Sequence, residues 1–338
     1  MMMERDGIVT PSPGILITGA NGFVGSRLCQ KFLSEGFRVI AGVRHTADMS
    51  LLQGLTLEFR YGDVTLPKTL PGIVTGVDYI IHNAGVVKAK RNETFFKVNH
   101  EGTRHLFEAI ERHNPNVKRV VYISSLAAAG PSLDGRPVTE ADPAHPITPY
   151  GRSKLAGEGV ALSFAPKLNV LVIRPPGIYG PGDKENLAFF QMVHRRMKFL
   201  IGNPERRLQL VHVDDLCRAM VLAVTQTARS GEVYFIAENR SYTMRDLMAL
   251  AEQATQKKAI SIRVPAPVFK AIAAVSEAAF KLVGATPMLT RDKAPELLAS
   301  WEVSTAKAKN DLGFESRIPF EEGSRETYAW YLRKGWLK

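Results

Sequence analysis

The stretch ILITGANGFVGSRL, residues 15–28, joins an apolar run to a helical pattern through a cluster of glycines. Gly19, Gly22 and Gly25 stand at three-residue intervals directly after the apolar run. Glycine at such positions permits a tight turn after a strand, a close approach of main-chain N–H groups to a pyrophosphate, and close packing of the following helix. The helix N-terminus adds the positive end of its dipole. We therefore predict a dinucleotide-binding turn, with an ordinary turn as the alternative.

Strand and helix patterns alternate through the first half of the chain. Strand-like apolar runs cover residues 14–18, 38–43, 56–61, 78–82, 119–124 and 169–174, and helical patterns cover residues 23–34, 94–113 and 150–164. Alternation of this kind is typical of parallel βαβ units with helices on both faces of the sheet. The predicted fold class is therefore α/β, with a doubly wound parallel sheet.

The alternation ends after Arg174, where RPPGIYGPGD has the prolines and glycines of a loop. Helical patterns then cover residues 186–197, 214–227, 243–255, 268–283 and 320–334, and strand-like pieces cover residues 208–213 and 233–236. We predict a flexible tail over residues 1–13, a nucleotide-binding domain over 14–180, and a smaller, mostly helical substrate-binding part over 181–338. That last part is expected to return a strand or two to the first sheet.

Composition and charge limit the class of protein. The chain has 338 residues, of which 45% are hydrophobic, and a formal net charge of +11. Basic clusters lie at residues 88–91, 194–198 and 205–207, but they lack interleaved aromatic residues, so we predict no nucleic-acid partner. A phosphate-rich cofactor accounts for part of the charge. Two cysteines in helical patterns, and a first segment without an apolar signal sequence, favour a cytoplasmic protein.

The predicted turns after the second, third and fourth strands supply further candidate cofactor contacts. An acidic residue at the end of the second strand would bind an adenosine ribose, but Arg44 occupies this position. A cation there suits a 2′-phosphate, so we favour NADP over NAD; the alternative is that Arg44 stacks on adenine or faces solvent. Asp63 is positioned to accept from the adenine amino group, and small residues at 83–85 would let the cofactor pass, although either segment is also compatible with an ordinary turn.

Tyr150 and Lys154 carry the candidate chemistry. They are four residues apart in a helical pattern and so share one helix face. A lysine ammonium beside a phenol is expected to lower the phenol's pKa and to let it exchange a proton near neutral pH. Ser124 and Ser125 end the fifth predicted strand, where a hydroxyl can bond a substrate oxygen or cap the next turn. Asn99 is expected either to hold a water linked to Lys154 or to bond the backbone.

The motifs together resemble those of one enzyme family. TGANGFVG, GDV, HNAG, VNHEGT, ISS, YGRSK, RPPGIYGPGD and VHVDD occur in the order and at about the spacing seen in extended short-chain dehydrogenases/reductases, the NAD-dependent epimerase/dehydratase group. The resemblance spans about residues 14–337. It implies a Rossmann domain, a C-terminal substrate-binding part, and a homodimer formed through the helices at 94–113 and 150–164.

The resemblance also implies the site residues. Ser125 is chosen over Ser124 because it stands five residues before Gly130, the usual family spacing. Lys154 would also hold the nicotinamide ribose, and residues 175–178 would lie near the carboxamide. The predicted catalytic residues are Asn99, Ser125, Tyr150 and Lys154; the predicted cofactor-binding residues are Gly19, Asn21, Gly22, Phe23, Val24, Gly25, Arg44, Asp63, Val64, Asn83, Ala84, Gly85, Tyr150, Lys154, Pro175, Gly177 and Ile178.

Three branches of the family compete, and the residues separate them. Dehydratases usually carry an Asp-Glu pair where this chain has Leu126 and Ala127. Sugar-nucleotide epimerases place an arginine where Leu208 stands, although Arg206 and Arg207 are close. The favoured branch resembles 3β-hydroxysteroid dehydrogenases and dihydroflavonol 4-reductases, which move a hydride between NAD(P) and an alcohol or ketone on a bulky, often lipid-like molecule. Epimerase is the alternative; a non-catalytic protein on this fold is disfavoured by the intact Ser125, Tyr150 and Lys154.

The sequence also makes predictions for residues 265–289 and for Asp214. Val268, Ile272 and Val275 recur at helical spacing within residues 265–289, which predicts a helix packed on the body or on a partner subunit; contact with a membrane surface is the less favoured alternative. Asp214, in the segment HVDD, is expected to cap the following helix. No metal site is predicted there, because the ligand spacing is unsuitable.

Overall fold

The computed structural model describes residues 12–282, 291 and 293–337. Most of the predicted tail, residues 1–11, lies outside the described residues, as does Val283 at the end of the helix predicted over 268–283.

The elements follow one another along the chain with these bounds. The strands are β1 (Gly14–Thr18), β2 (Arg38–Val43), β3 (Glu58–Tyr61), β4 (Tyr79–His82), β5 (Arg119–Ile123), β6 (Val170–Arg174), β7 (Gly177–Tyr179), β8 (Met197–Ile201), β9 (Arg207–Leu208), β10 (Leu210–His212), β11 (Glu232–Phe235), β12 (Tyr242–Thr243) and β13 (Ile260–Val264). The helices are α1 (Phe23–Ser34), α2 (Pro71–Val74), α3 (Asn92–Phe96), α4 (Gly102–His113), α5 (Leu126–Ala129), α6 (Pro149–Ser163), α7 (Leu187–His194), α8 (Val213–Thr225), α9 (Met244–Thr255), α10 (Ala266–Leu282), α11 (Ala294–Leu298), α12 (Ala306–Leu312) and α13 (Phe320–Arg333).

In the part of the chain that the structure describes, seven strands form one sheet in the order β11-β6-β5-β4-β1-β2-β3. Every neighbouring pair is parallel. Along β1, Ile15 and Ile17 pack in a core cluster with Leu28 of α1, whereas Leu16 packs in another with Ile110 of α4. Helices therefore cover both faces, and the predicted α/β class with a doubly wound parallel sheet is confirmed.

The strand order places the candidate site. The sheet grows outward from β1 in both directions, with β2 on one side and β4 on the other. Ligands bind in such sheets at the carboxyl ends of the strands, where this change of direction opens a crevice. Thr18, the last residue of β1, pairs with His82 at the end of β4 and with Gly42 in β2. The crevice therefore begins directly after Thr18, at the glycine turn.

Several predicted elements differ from the structure. The helix predicted over 94–113 is divided by a π-helical turn at Lys97–Glu101, a feature often found at functional sites. The helix predicted over 186–197 ends at His194, because Arg196 adopts a left-handed φ of 61° and strand β8 follows. The strand predicted over 208–213 is interrupted at Gln209, whose side chain bonds the Glu238 carbonyl and the Val303 N–H instead.

Asp214 does not cap its helix, so this prediction was wrong. His212 is the N-cap residue of α8, and its Nδ1 accepts from the Asp214 N–H at 3.3 Å. The Asp214 carboxylate lies in the first turn, where the helix dipole favours negative charge, and it binds the Arg27 guanidinium of α1. Asp214 therefore links two helices.

His82 gives the fold a pH dependence. It is fully buried between the hydroxyls of Thr18 (3.0 Å) and Thr103 (3.1 Å). Burial, helped by the nearby Lys154 charge, lowers its pKa to about 3. The unfolded chain takes up this proton near the ordinary pKa of about 6.5, so it binds more protons than the folded chain between these values. The free energy of unfolding should fall as the pH falls through this window, by about 1.4 kcal/mol per pH unit from this group.

Urea unfolding at several pH values checks this expectation. His82→Gln should remove the contribution of this group to the dependence of the unfolding free energy on pH. His113 is exposed at the end of α4, so His113→Gln should retain that dependence. Equal slopes in wild type and His82→Gln would show that the buried imidazole does not set the pH dependence.

Candidate active site

The turn after β1 needs glycine at two positions. Gly19 has φ of 64°, and a Cβ there would lie 2.9 Å from Cα of Ala84. A Cβ on Gly25 would lie 2.2 Å from the Gly19 carbonyl oxygen, so α1 packs directly on the turn. Gly22, in contrast, is exposed, and a Cβ there would approach only the Gly19 oxygen, at 3.4 Å. The turn thus presents bare backbone to the crevice.

The N-terminus of α1 is available to an anion. Gly22 is the N-cap residue, with no side-chain cap, and the first turn contains no acidic residue. The N–H groups of Phe23, Val24 and Gly25 have no acceptor among the residues that the structure describes. Free N–H groups together with the positive end of the helix dipole favour a phosphate. The donor set therefore fits the diphosphate of a dinucleotide.

The end of β4 closes the other side of the crevice. Thr18 Oγ1 accepts from the N–H groups of Asn83 (3.1 Å) and Ala84 (3.0 Å), and the Asn83 amide donates to the Gly19 oxygen at 3.2 Å. Gly85 is exposed; a Cβ there would lie 3.0 Å from Asn99 Oδ1 and 3.9 Å from Lys154 Nζ. The absence of a side chain at Gly85 leaves a path from the glycine turn to Lys154.

The outer end of the crevice holds Arg44, directly after β2. Its side chain is exposed and forms no hydrogen bond or ion pair with any other described residue. Beside it, the His45 ring stacks on the Tyr61 ring with centroids 4.5 Å apart, an aromatic surface that the sequence did not indicate. Asp63 Oδ1 accepts from both the N–H and the hydroxyl of Thr65, each at 2.8 Å. The contact of Asp63 with the adenine amino group stays a prediction.

Val64, also predicted to contact the cofactor, is buried, and a Cβ on Gly102 would lie 2.7 Å from its Cγ2. Asn21 is half-buried in the glycine turn. The contacts of Asn21 and Val64 with the cofactor stay predictions.

The start of α6 positions Tyr150. Thr148 is the N-cap residue, and its Oγ1 accepts from the Gly151 N–H at 3.1 Å, while Pro149 occupies the first helical position. A Cβ on Gly151 would lie 2.2 Å from the Ala127 carbonyl oxygen of α5. This close approach holds α6 against α5, whose N-cap residue is Ser125. Tyr150 therefore lies beside Ser125.

The two serines at the end of β5 have different partners. Ser124 is buried, and its hydroxyl donates to the Glu158 carboxylate. Ser125 is half-buried; its Oγ accepts from the Ala127 N–H at 3.1 Å, and its side chain acts to lower the Tyr150 pKa. Of the two serines, Ser125 acts on the pKa of the Tyr150 phenol, and its catalytic role stays a prediction.

Burial controls the pKa of Tyr150. Burial, together with the negative charge of Glu296, raises this pKa to about 12, against the lowering effect of Ser125. The expected lowering by Lys154 is not found, because the lysine Nζ donates to the Ile123 carbonyl at 2.7 Å and lies 4.4 Å from the Tyr122 ring centroid. The phenol is accordingly protonated at neutral pH.

Lys154 is buried in the centre of the site. Burial lowers its pKa to about 7, and the negative charge of Glu158 opposes this change. Asn99, also buried, exchanges two hydrogen bonds with the Val86 backbone (2.9 and 3.0 Å) and donates to Ser153 Oγ at 3.0 Å. These contacts agree with the backbone role of Asn99, and a water linked to Lys154 stays a prediction.

A buried ion pair joins β6 to α6 next to the site. The Arg174 guanidinium, at the end of β6, binds the Glu158 carboxylate through Nε (3.0 Å) and Nη2 (2.6 Å). The next residue, Pro175, accepts from the Leu126 N–H at 2.7 Å. Gly177 is exposed and Ile178 half-buried in β7, a three-residue strand inside the segment predicted as loop.

Sequence reasoning missed two acidic residues. Glu158 lies four residues after Lys154 on α6, a spacing that does indicate a shared helix face. Glu296, on the short helix α11, acts on Tyr150 through its charge, and no local pattern marked it. Its side chain is half-buried, which raises its own pKa.

The arginines near Leu208 are engaged in protein contacts. Arg206 is buried, and its Nη1 donates to the carbonyls of Ile201 and Asn203. Arg207 binds Ser241 (2.6 Å) and Glu302 (3.2 Å). Leu208 packs in an apolar cluster. No free guanidinium for a diphosphate group is therefore found at these three positions.

The described residues form neither a metal site nor a membrane span. Within the described ranges, no group of His, Cys, Asp and Glu side chains has the arrangement of a metal site. None of the helices described is both long and apolar enough to cross a bilayer.

Comparison with known proteins gives consistent results. Residues 15–237 match the model of the NAD dependent epimerase/dehydratase family. A ceramide reductase of Caulobacter vibrioides is 32% identical over 333 residues, covering 98% of each chain. A yeast (Saccharomyces cerevisiae) sterol-4-alpha-carboxylate 3-dehydrogenase, decarboxylating, is 26% identical and covers 94% of this chain and 97% of its own. The crystal structure of gox2253 superposes with a TM-score of 0.82 at 28% identity, covering 97% of this chain and all of the other.

Proposed function

The chain belongs to the NAD-dependent epimerase/dehydratase family and is an oxidoreductase of the extended short-chain type, and from this premise we propose that it reduces a ketone on a long-chain or sterol-like lipid. The observation that carries the proposal is the group of Ser125, Tyr150 and Lys154 at the crevice beside the glycine turn. The names of a ceramide reductase and of a sterol dehydrogenase among the relatives support a lipid as the substrate.

The proposed roles follow from the contacts. A nicotinamide cofactor, when bound, supplies the hydride that forms the new C–H bond at the carbonyl carbon. Tyr150 holds the proton that passes to the carbonyl oxygen; its pKa of about 12 keeps it protonated at neutral pH, which suits the reductive direction. Ser125 hydrogen-bonds the same oxygen. Lys154 would hold the ribose of the cofactor, and the free N–H groups of α1 would hold its diphosphate.

The alternative of a sugar-nucleotide epimerase is less well supported. Such an enzyme needs a cation for the nucleotide diphosphate, and Arg206 and Arg207 are bound to protein partners. Leu126 and Ala127 have no ionisable group, so these positions also offer no acid-base pair for dehydration. A tight complex with a UDP- or GDP-sugar would favour the epimerase.

An assay of purified protein tests the proposed function. Oxidation of NADPH is followed with a panel of ketones: a ketone-bearing sphingolipid, a 3-ketosteroid, a short water-soluble ketone and a UDP-sugar. Turnover should be most efficient with one of the two lipids. Turnover of none of the ketones, together with binding of the UDP-sugar, would contradict the proposal.

Arg44 is the proposed determinant of NADP preference. Its free, exposed guanidinium at the end of β2 suits a 2′-phosphate. Arg44→Ala should raise KM for NADPH about tenfold or more, since a charge-assisted hydrogen bond is lost, and should leave KM for NADH within about twofold. Lys68→Ala removes another exposed cation and is the control. Equal changes for both cofactors would assign Arg44 to adenine stacking or to solvent.

A further inference from the structure

Exposed apolar side chains are concentrated on one part of the second half of the chain. Large apolar residues with exposed side chains fall on β8, β13 and α10: Met197, Ile260, Ile262, Val268, Ile272 and Val275. Their exposed fractions run from 37% for Met197 to 73% for Ile260. We call this set the apolar surface. Contiguous exposed apolar groups of this kind mark interaction sites in soluble proteins.

Secondary structure puts these side chains on shared faces. Ile260 and Ile262 are two residues apart on β13, and Ile260 is paired with Met197 of the parallel strand β8. Val268, Ile272 and Val275 are spaced as one stripe of α10. Val264 of β13 and Phe269 of α10 pack in one cluster, so the strand pair and the helix adjoin.

Helix α10 is attached to the body by its other face. Phe269 and Ala273 are buried there and pack with Ala294 of α11. Pro267, Lys270 and Ala271 are exposed beside the apolar stripe. Among the described residues, no side chain therefore covers the stripe of Val268, Ile272 and Val275 on this helix.

The charges around the apolar surface are mostly positive. Residues 194–204 and 253–276, which supply the surface, contain no aspartate or glutamate; Glu205 and Glu252 border these segments, and Glu277 follows on α10. Exposed cations on the same segments are Arg195, Arg196, Lys258, Arg263 and Lys270. None of these five side chains forms an ion pair with another described residue. Apolar side chains flanked by unpaired cations are the pattern that binds anionic lipid surfaces.

This charge pattern disfavours a second copy of the chain as the occupant. A twofold interface places the same patch of both subunits face to face. The five cations would then approach their own copies, while the bordering carboxylates of Glu205 and Glu252 already bind Arg245 and Lys198. An anionic bilayer, in contrast, complements the cations and receives the apolar side chains.

Helix α10, which carries part of the apolar surface, packs on a helix that contributes a charge to the candidate active site. α10 packs on α11 through Ala294, and α11 carries Glu296, whose charge acts on Tyr150. On the basis of the proposed function, we propose that the apolar surface docks the enzyme on an anionic phospholipid bilayer, from which the lipid substrate enters beside α11. The sequence had left this alternative open.

Vesicle flotation tests the proposal with the full-length protein. Vesicles of phosphatidylcholine alone are compared with vesicles that also contain phosphatidylglycerol. The wild type should float with the anionic vesicles, less so at high salt. Lys258→Gln/Arg263→Gln/Lys270→Gln should bind about 100-fold more weakly, because each cation near such a surface contributes about fivefold. Val268→Ser/Ile272→Ser/Val275→Ser should also lose binding.

A matched control and a solution assay separate the possible outcomes. Leu133→Ser/Leu332→Ser removes exposed apolar side chains elsewhere and should float like the wild type. All variants should keep their turnover of a water-soluble ketone. Wild-type protein that stays unbound, or both triple variants floating as the wild type does, would overturn the proposal. So would a triple variant that changes only the oligomeric state, since a second copy would then be the occupant. Flotation without turnover of any ketone would instead refute the proposed function alone.

Discussion

Tyr150→Phe is expected to lower kcat by about 100- to 10,000-fold, the usual contribution of a positioned acid or base, while leaving cofactor affinity unchanged. The substitution removes one hydroxyl and keeps the ring, which packs edge-to-face on Phe95 at 6.0 Å. The fold should therefore be unaffected. Steady-state kinetics with NADPH and a ketone, together with a binding titration of NADPH, measure the two effects separately.

The control for this variant is Tyr61→Phe. Tyr61 is exposed at the end of β3, stacked on His45, and has no proposed part in proton transfer. It should keep its kcat. A Tyr150→Phe enzyme with wild-type kcat would mean that the proton comes from another group, and the proposed role of the phenol would be lost.

Glu158→Gln is expected to lower the free energy of unfolding by about 3–5 kcal/mol, the usual result of removing one partner of a buried ion pair. The substitution leaves the Arg174 guanidinium, 7% exposed, without its counter-charge. It also weakens the acceptor of Ser124. Urea unfolding measures the loss, and Glu108→Gln on the exposed face of α4 is the matched control.

The double variant Glu158→Gln/Arg174→Met shows whether the loss of stability comes from the uncompensated Arg174 charge. If the cost comes from an uncompensated charge, the double variant should recover much of the stability that the single variant loses. A single variant as stable as the wild type would show that the pair does not hold β6 against α6. Because the Glu158 charge also opposes the lowering of the Lys154 pKa, the single variant should lower that pKa further.

The sequence predicts the fold well because its signals are local. Runs such as residues 38–43 and 119–124 are apolar enough to be buried on both faces, and the helices between them have the matching period. The strand pair of β8 and β13 was missed, since Met197 and Ile260 are far apart in the sequence and the first strand follows a helical pattern without a break. Pairing over such distances is set by the tertiary structure.

In the candidate site, too, local motifs are predictable from the sequence and contacts made by folding are not. Gly19, Tyr150 and Lys154 belong to compact motifs, so spacing alone could propose them. The direction in which the Tyr150 pKa shifts could not be predicted from the spacing. The shift depends on burial and on Glu296, a residue brought close only by folding. The Asp214 prediction failed for a related reason: Arg27, on another helix, binds the carboxylate.

Transfer of deuterium from NADPH labelled at C4 of the nicotinamide tests the central claim most directly. The wild-type protein is incubated with the labelled cofactor and the lipid ketones, and the products are analysed by mass spectrometry. We predict one deuterium, bound to the carbinol carbon, in the product of a lipid ketone, and none with Tyr150→Phe on the same timescale. Bound cofactor without label in any product of the wild type would contradict the claim that this crevice carries out hydride transfer.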